Sequence, residues 1–202
     1  MFNLNKKLTS LALLTMTLIG ATSVNISSIS AQEQPTIESS PNAITTTNGY
    51  YRNNIDQSLK PSANEQLYLI SPAKGVQIYQ CQAQPNKPDK YDWQFEAPEA
   101  DLYNRRGYKI GKHYGGPTWE GNDGSKVVGK VKASVDYRAN AIPWLLLDAA
   151  KTEGNGIFGK ISSLQRLDTI GGKAPTSGCN SRAIGKKARI PYTANYYFYQ
   201  KK

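Results

Sequence analysis

From Asn64 onward, apolar and polar residues alternate with a period of two, the pattern of strands that have one buried and one wet face. Tyr91, Trp93 and Phe95 alternate with Asp92, Gln94 and Glu96. The same rule puts Val127, Val131, Ala133, Val135 and Tyr137 on one face, with Lys130, Lys132, Ser134 and Asp136 on the other. Tyr192, Ala194, Tyr196 and Phe198 stand against Thr193, Asn195, Tyr197 and Tyr199, a strand with aromatics on both faces. Further strands are predicted at Gln66–Ile70, Val76–Gln82, Tyr108–His113 and Ile157–Leu167, with Gly and Pro clusters between them. Ile142–Ala150 is an unbroken apolar run that fits a buried strand or a short helix, and strand is the preferred reading. No long amphipathic helix and no internal repeat is present. The expected fold is therefore mainly β: a single-domain antiparallel β-sandwich or barrel with short turns and little helix.

The N-terminal residues read differently. Lys6 and Lys7 precede an apolar stretch, Leu8–Ile19, that is short for a bilayer span, and small residues follow as far as Ala31. This is the pattern of a secretory signal over residues 1–31, with no transmembrane segment left once it is removed. Residues 32–64 are rich in Ser, Thr, Asn, Gln and Pro, and read as a flexible polar arm with Tyr50 and Tyr51 as its anchors. Residues 65–202 form the β domain. The expected location is secreted, or periplasmic at the cell envelope. In that setting the only two cysteines, Cys81 and Cys179, are expected to form a disulfide and not a metal or redox pair.

Charge narrows the partners. The chain carries a formal charge of +10, and after Asp168 there is no acid, while Lys173, Arg182, Lys186, Lys187, Arg189, Lys201 and Lys202 follow. Such an excess suits an anionic envelope polymer, a membrane surface or an acidic partner, or serves only as a solvated face. No nucleic-acid motif is present, and nucleic acid is not an expected partner.

The densest chemistry is the run His113–Ser125, which holds the single histidine of the chain. His113 opens it beside Tyr114 and a Gly-Gly-Pro turn, where an imidazole can serve as general acid or base with Glu120 to orient it, or can simply brace the loop. Glu120 and Asp123 are candidates for the paired carboxylates of a glycoside hydrolase, with Trp119 as a sugar-stacking face. Asn122, Asp123 and Gly124 also resemble a fragment of a calcium loop, although a β-turn accounts for them equally. A lone histidine excludes the multi-histidine zinc and copper sites, and neither metal nor cofactor is expected. Tyr197 and Tyr199, beside the basic tail, are candidate ligand-binding aromatics together with Trp119 and Tyr114. Ser177 lies in no GxSxG elbow, so serine hydrolase chemistry has little to stand on.

Several segments taken in order resemble one family of secreted microbial and fungal proteins, domain of unknown function family 3455. They are GVQIYQC (Gly75–Cys81), the Trp93–Pro98 strand, GKHYGGPTWEGNDGS (Gly111–Ser125), IPWLLL (Ile142–Leu147), LQRLDTIGGKAP (Leu164–Pro175) with Cys179, and PYTANYYFY (Pro191–Tyr199). The resemblance implies a secreted, mainly β domain and supplies no catalytic residues. Dehydrogenase labels attached to some fungal relatives find no support, because no GxGxxG turn is present. Two functions stand at this stage. One is an exported binding or structural protein of the envelope or extracellular space with a carbohydrate or anionic polymer as ligand. The other is a secreted hydrolase-type enzyme using His113, Glu120 and Asp123.

Overall fold

The structure is a computed structural model, and it describes residues 55–202. The expected leader, the anchors Tyr50 and Tyr51 and most of the polar arm lie outside the described residues.

Eight antiparallel strands follow one another around a closed barrel: β1 (Glu65–Gln84), β2 (Lys87–Tyr103), β3 (Lys109–Tyr114), β4 (Thr118–Gly121), β5 (Lys126–Val135), β6 (Trp144–Glu153), β7 (Ser163–Gly171) and β8 (Lys187–Lys201). Closure comes from the two ends of the domain, where β1 pairs with β8 from Glu65↔Lys201 to Gln80↔Lys187. The period-two alternation turns inner residues toward the barrel axis. Ala73, Leu102, Trp119, Val127, Leu147, Leu164, Tyr192, Ala194, Tyr196 and Phe198 pack there as one cluster. Gly129 makes room for the indole, since a Cβ at that position would lie 2.9 Å from the Trp119 ring. The outer wall carries Lys74, Glu99, Asp101, Lys112, Glu120 and Asp148 along its strands, unlike the apolar band of a membrane-spanning barrel. Among the described residues no helix is long and apolar enough to cross a membrane.

The apolar run at Ile142–Ala150 is strand, entering β6 just after Pro143. Gln66–Ile70 and Val76–Gln82 are parts of the one long strand β1. Three local expectations are corrected. The alternation from Val127 to Tyr137 does not hold one face, because a bulge between Val131 and Ala133 shifts the register. Val127 stays in the interior cluster, while Ala133 and Val135 pack in a second cluster outside the wall. Phe95 is not core but 56% exposed. β2 pairs with β3 only from Glu99 onward, so its first half stands clear of the barrel body. There the β1–β2 hairpin is tied to the β7–β8 connection by the Cys81–Cys179 disulfide and by Trp93 Nε1–H donating to Ser177 O at 2.8 Å. Finally, Ile157–Lys160 form turns and not strand, which puts Phe158 against Phe198 with ring centroids 4.8 Å apart.

The second cluster explains the described end of the arm. A 3-10 turn, Gln57–Leu59, is capped by Asp56, whose side chain accepts from Ser58 N. Leu59 is completely buried against Trp144, Leu146, Leu167, Tyr197 and Tyr199 on the outer wall. Gln165 donates to Leu59 O at 2.6 Å and accepts from Tyr199 Oη at 2.7 Å, so the strap is held by polar as well as apolar contacts.

Candidate functional site

The three residues expected to share catalysis point in three directions. On β3, His113 faces the barrel axis and is 2% exposed. Its Nδ1 lies 2.9 Å from Thr118 O, and since a carbonyl only accepts, Nδ1 carries the proton and Nε2 is the basic nitrogen. Its ring stacks on Trp119 at 4.2 Å and meets the edge of Tyr196 at 5.2 Å. Burial pushes the His113 pKa down to about 3; the hydrogen bond to Thr118 opposes the fall and the Arg166 charge adds to it. This histidine is neutral at physiological pH.

Glu120 sits across from Lys112 in the β3–β4 pairing, one residue beyond the His113↔Trp119 pair, and therefore projects from the opposite, outer face. There it accepts from Tyr114 Oη at 2.7 Å and lies 3.5 Å from Lys112 Nζ and 3.8 Å from Lys126 Nζ. The Tyr114 hydrogen bond and the two lysines hold its carboxyl below the usual range. Asp123 is a clasp. It accepts from Ser125 N, Ser125 Oγ and Ile157 N, at 3.0, 2.6 and 2.7 Å, while Ser125 Oγ accepts from Phe158 N at 3.0 Å. These bonds tie the β4–β5 turn to the β6–β7 connection and seat Phe158. Gly156 lies so close to the Asp123 carboxylate that a Cβ there would collide with it.

The expected binding aromatics are also reassigned. Tyr197 and Tyr199 are each 4% exposed, because the Leu59 strap covers the face on which they stand. Trp119 is buried inside the barrel and offers no surface for a polymer. Tyr114 serves Glu120. Among the described residues no cluster of three metal-ligating side chains gathers.

The structure instead gathers polar groups inside the barrel. A cavity of about 300 Å³ is lined by Gln77, His113, Trp119, Arg166 and Tyr196, with the exposed Phe95 and Val131 at its rim. Arg166 is placed here because it shares the inner parity of β7 with Leu164. Its Nε and one terminal nitrogen, Nη2, both donate to Pro143 O, at 3.2 and 2.9 Å. Gln77 Nε2 and Trp119 Nε1 are buried without a well-formed hydrogen bond; Gln77 faces the Tyr192 hydroxyl, Trp119 and Arg166 face that of Tyr196, and each favours the ionised phenol it faces. The two hydroxyls are 3.3 Å apart, and burial raises the pKa of both phenols while Arg166 opposes the rise. Another depression, about 260 Å³, lies between the strap and the outer wall, lined by Ile55, Leu67, Leu167, Tyr197 and Tyr199 among others. It contains no buried polar side-chain atom lacking a partner among the described residues.

Sequence reasoning missed Gln77 and Arg166. Both occupy inner positions of otherwise apolar alternations, Gly75–Gln77–Tyr79 and Leu164–Arg166. A polar residue on the buried parity of a strand was the available signal.

Comparison with curated proteins and with solved structures finds no match to this chain. Residues 61–200, which hold the whole barrel except its last residue, match the model of the family described as protein of unknown function (DUF3455), and the chain belongs to that family.

Proposed function

We propose that the protein is an exported binding protein whose barrel takes a small molecule into its interior cavity. The carrying observation is the cavity itself: polar groups with unmet hydrogen-bonding capacity and stacked aromatic rings converge in one concave space, as in small-molecule sites. Export is supported by the leader-like N-terminus and by a disulfide of the kind that persists in oxidising compartments. The hydrolase reading loses its basis in the separation of His113, Glu120 and Asp123. The polymer reading loses Tyr197 and Tyr199, and keeps only the basic surface.

The test is native mass spectrometry of the exported protein, purified without denaturation, beside Val131→Trp. Val131 is 52% exposed at the cavity rim, so a tryptophan there blocks entry with little strain on the core. A low-mass adduct on the wild type, absent from Val131→Trp, is expected. An adduct of equal occupancy on both proteins overturns the cavity reading.

A further inference from the structure

We propose that the cavity selects a planar, aromatic monocarboxylate, with the carboxylate on Arg166 and the ring against the His113–Trp119 stack. This inference rests on the small-molecule reading above and names the class of ligand.

The sign of the unmet groups decides the charge. A guanidinium has five N–H donors in a rigid fork, and Arg166 places two of them on Pro143 O. That contact fixes the plane of the fork and leaves three donors, which face the Tyr196 hydroxyl and the cavity. No carboxylate of the protein pairs with Arg166 among the described residues. The only acid lining the cavity is Glu96, which is engaged with Lys187 at 2.6 Å. The other unmet atoms, Gln77 Nε2 and Trp119 Nε1, are donors as well. Three donor groups, one of them cationic, thus outweigh the single acceptor His113 Nε2; a cavity so biased is completed by an acceptor-rich anion, and a planar carboxylate matches the fork geometry of arginine.

The walls supply the second half of the argument. Trp119 and His113 are stacked, and Tyr196 presents an edge to both. Flat rings so arranged favour another flat ring by offset or edge contact. The volume of about 300 Å³ is at the lower end for ligand pockets and suits a compact molecule. The field of Arg166 reaches Tyr79, His113, Tyr192 and Tyr196 and lowers the pKa of each, against burial for the three phenols and together with burial for His113.

The experiment titrates the wild type with benzoate and with its neutral isostere benzamide, by calorimetry at neutral pH, and repeats both with Arg166→Gln, Arg166→Lys and Val131→Trp. Benzoate is expected to bind roughly ten- to a hundredfold more tightly than benzamide, the range for hydrogen bonds to a charged partner. Arg166→Gln should abolish the preference, and Arg166→Lys should restore part of it. Val131→Trp should block both probes. Equal affinity of the wild type for benzoate and benzamide, with both blocked by Val131→Trp, overturns the anion inference and leaves the cavity reading standing. Binding of benzoate that Val131→Trp does not disturb overturns both. Failure of both probes to bind removes the aromatic carboxylate, while the adduct experiment above decides the cavity reading separately. Should Arg166→Gln not fold, the wild-type comparison and Arg166→Lys still decide the question.

Discussion

His113 is a histidine that the fold keeps neutral, and this has a measurable cost in acid. An ordinary histidine titrates near 6.5, whereas burial holds His113 at about 3. The unfolded chain therefore binds a proton below pH 6.5 that the folded chain refuses, so stability is full above that pH and is lost as pH falls toward 3. His113 is the only histidine of the chain, and between pH 6.5 and 5 few other side chains titrate. The urea-unfolding free energy should fall by about 2 kcal/mol from pH 7 to pH 5. His113→Phe, which keeps the ring stack but loses the bond to Thr118, should be less stable at pH 7 and nearly flat over that interval. An equally steep loss in His113→Phe would show that another group sets the acid limb. Asp123 tests a different device. Asp123→Ala removes three accepted hydrogen bonds, and because the carboxylate is exposed the discounted cost is about 1 to 2 kcal/mol. Near-UV circular dichroism should report loosening around Phe158 in this variant, and an unchanged spectrum and midpoint would remove the clasp.

At the scale of elements, the strap is the piece whose energetics can be isolated. Leu59→Ala deletes its only fully buried side chain, at about 2 to 4 kcal/mol of local docking free energy. Amide exchange should speed up from Ile55 to Asn64 while amides of the barrel interior stay protected, because the strap lies on the outer wall and opens alone. Uniform acceleration throughout would make the strap part of one cooperative unit. The elements also separate what alternation reveals from what it hides. The strand around Tyr196 was legible because its alternation continues unbroken in the structure, whereas Ile142–Ala150 is apolar without alternation and fitted a short helix as well as the strand it forms. The shift at Val131/Ala133 was not legible, since a bulge changes face without changing composition. The inward Arg166 was visible as a charge on the buried parity, yet nothing local tells whether such a residue is inner or outer until the partner strands are known. Tyr197 and Tyr199 were read as outward, which is correct, and as free, which is not. Leu59, far from them in sequence, covers them.

For the whole molecule, the disulfide is the covalent tie between the protruding hairpin and the β7–β8 connection. Its cysteines are 98 residues apart, and loop closure on that scale contributes about 4 to 5 kcal/mol on the chain-entropy model. The double variant Cys81→Ala/Cys179→Ala should lose that much in urea unfolding, while its far-UV spectrum keeps the barrel signature. A loss below about 1 kcal/mol would mean that the unfolded chain is already compact around this loop. Because the first and last strands close the sheet, the order in which the chain emerges during synthesis matters. β1 can form its hairpin with β2 early, but its other edge must wait for β8, which pairs with it from Glu65↔Lys201 to Gln80↔Lys187. Until then the half-built sheet has open edges, the form most prone to pair with a neighbour. The barrel closes only once β8 has been made, and whatever shields the nascent chain must protect that edge of β1 while all the intervening strands are added.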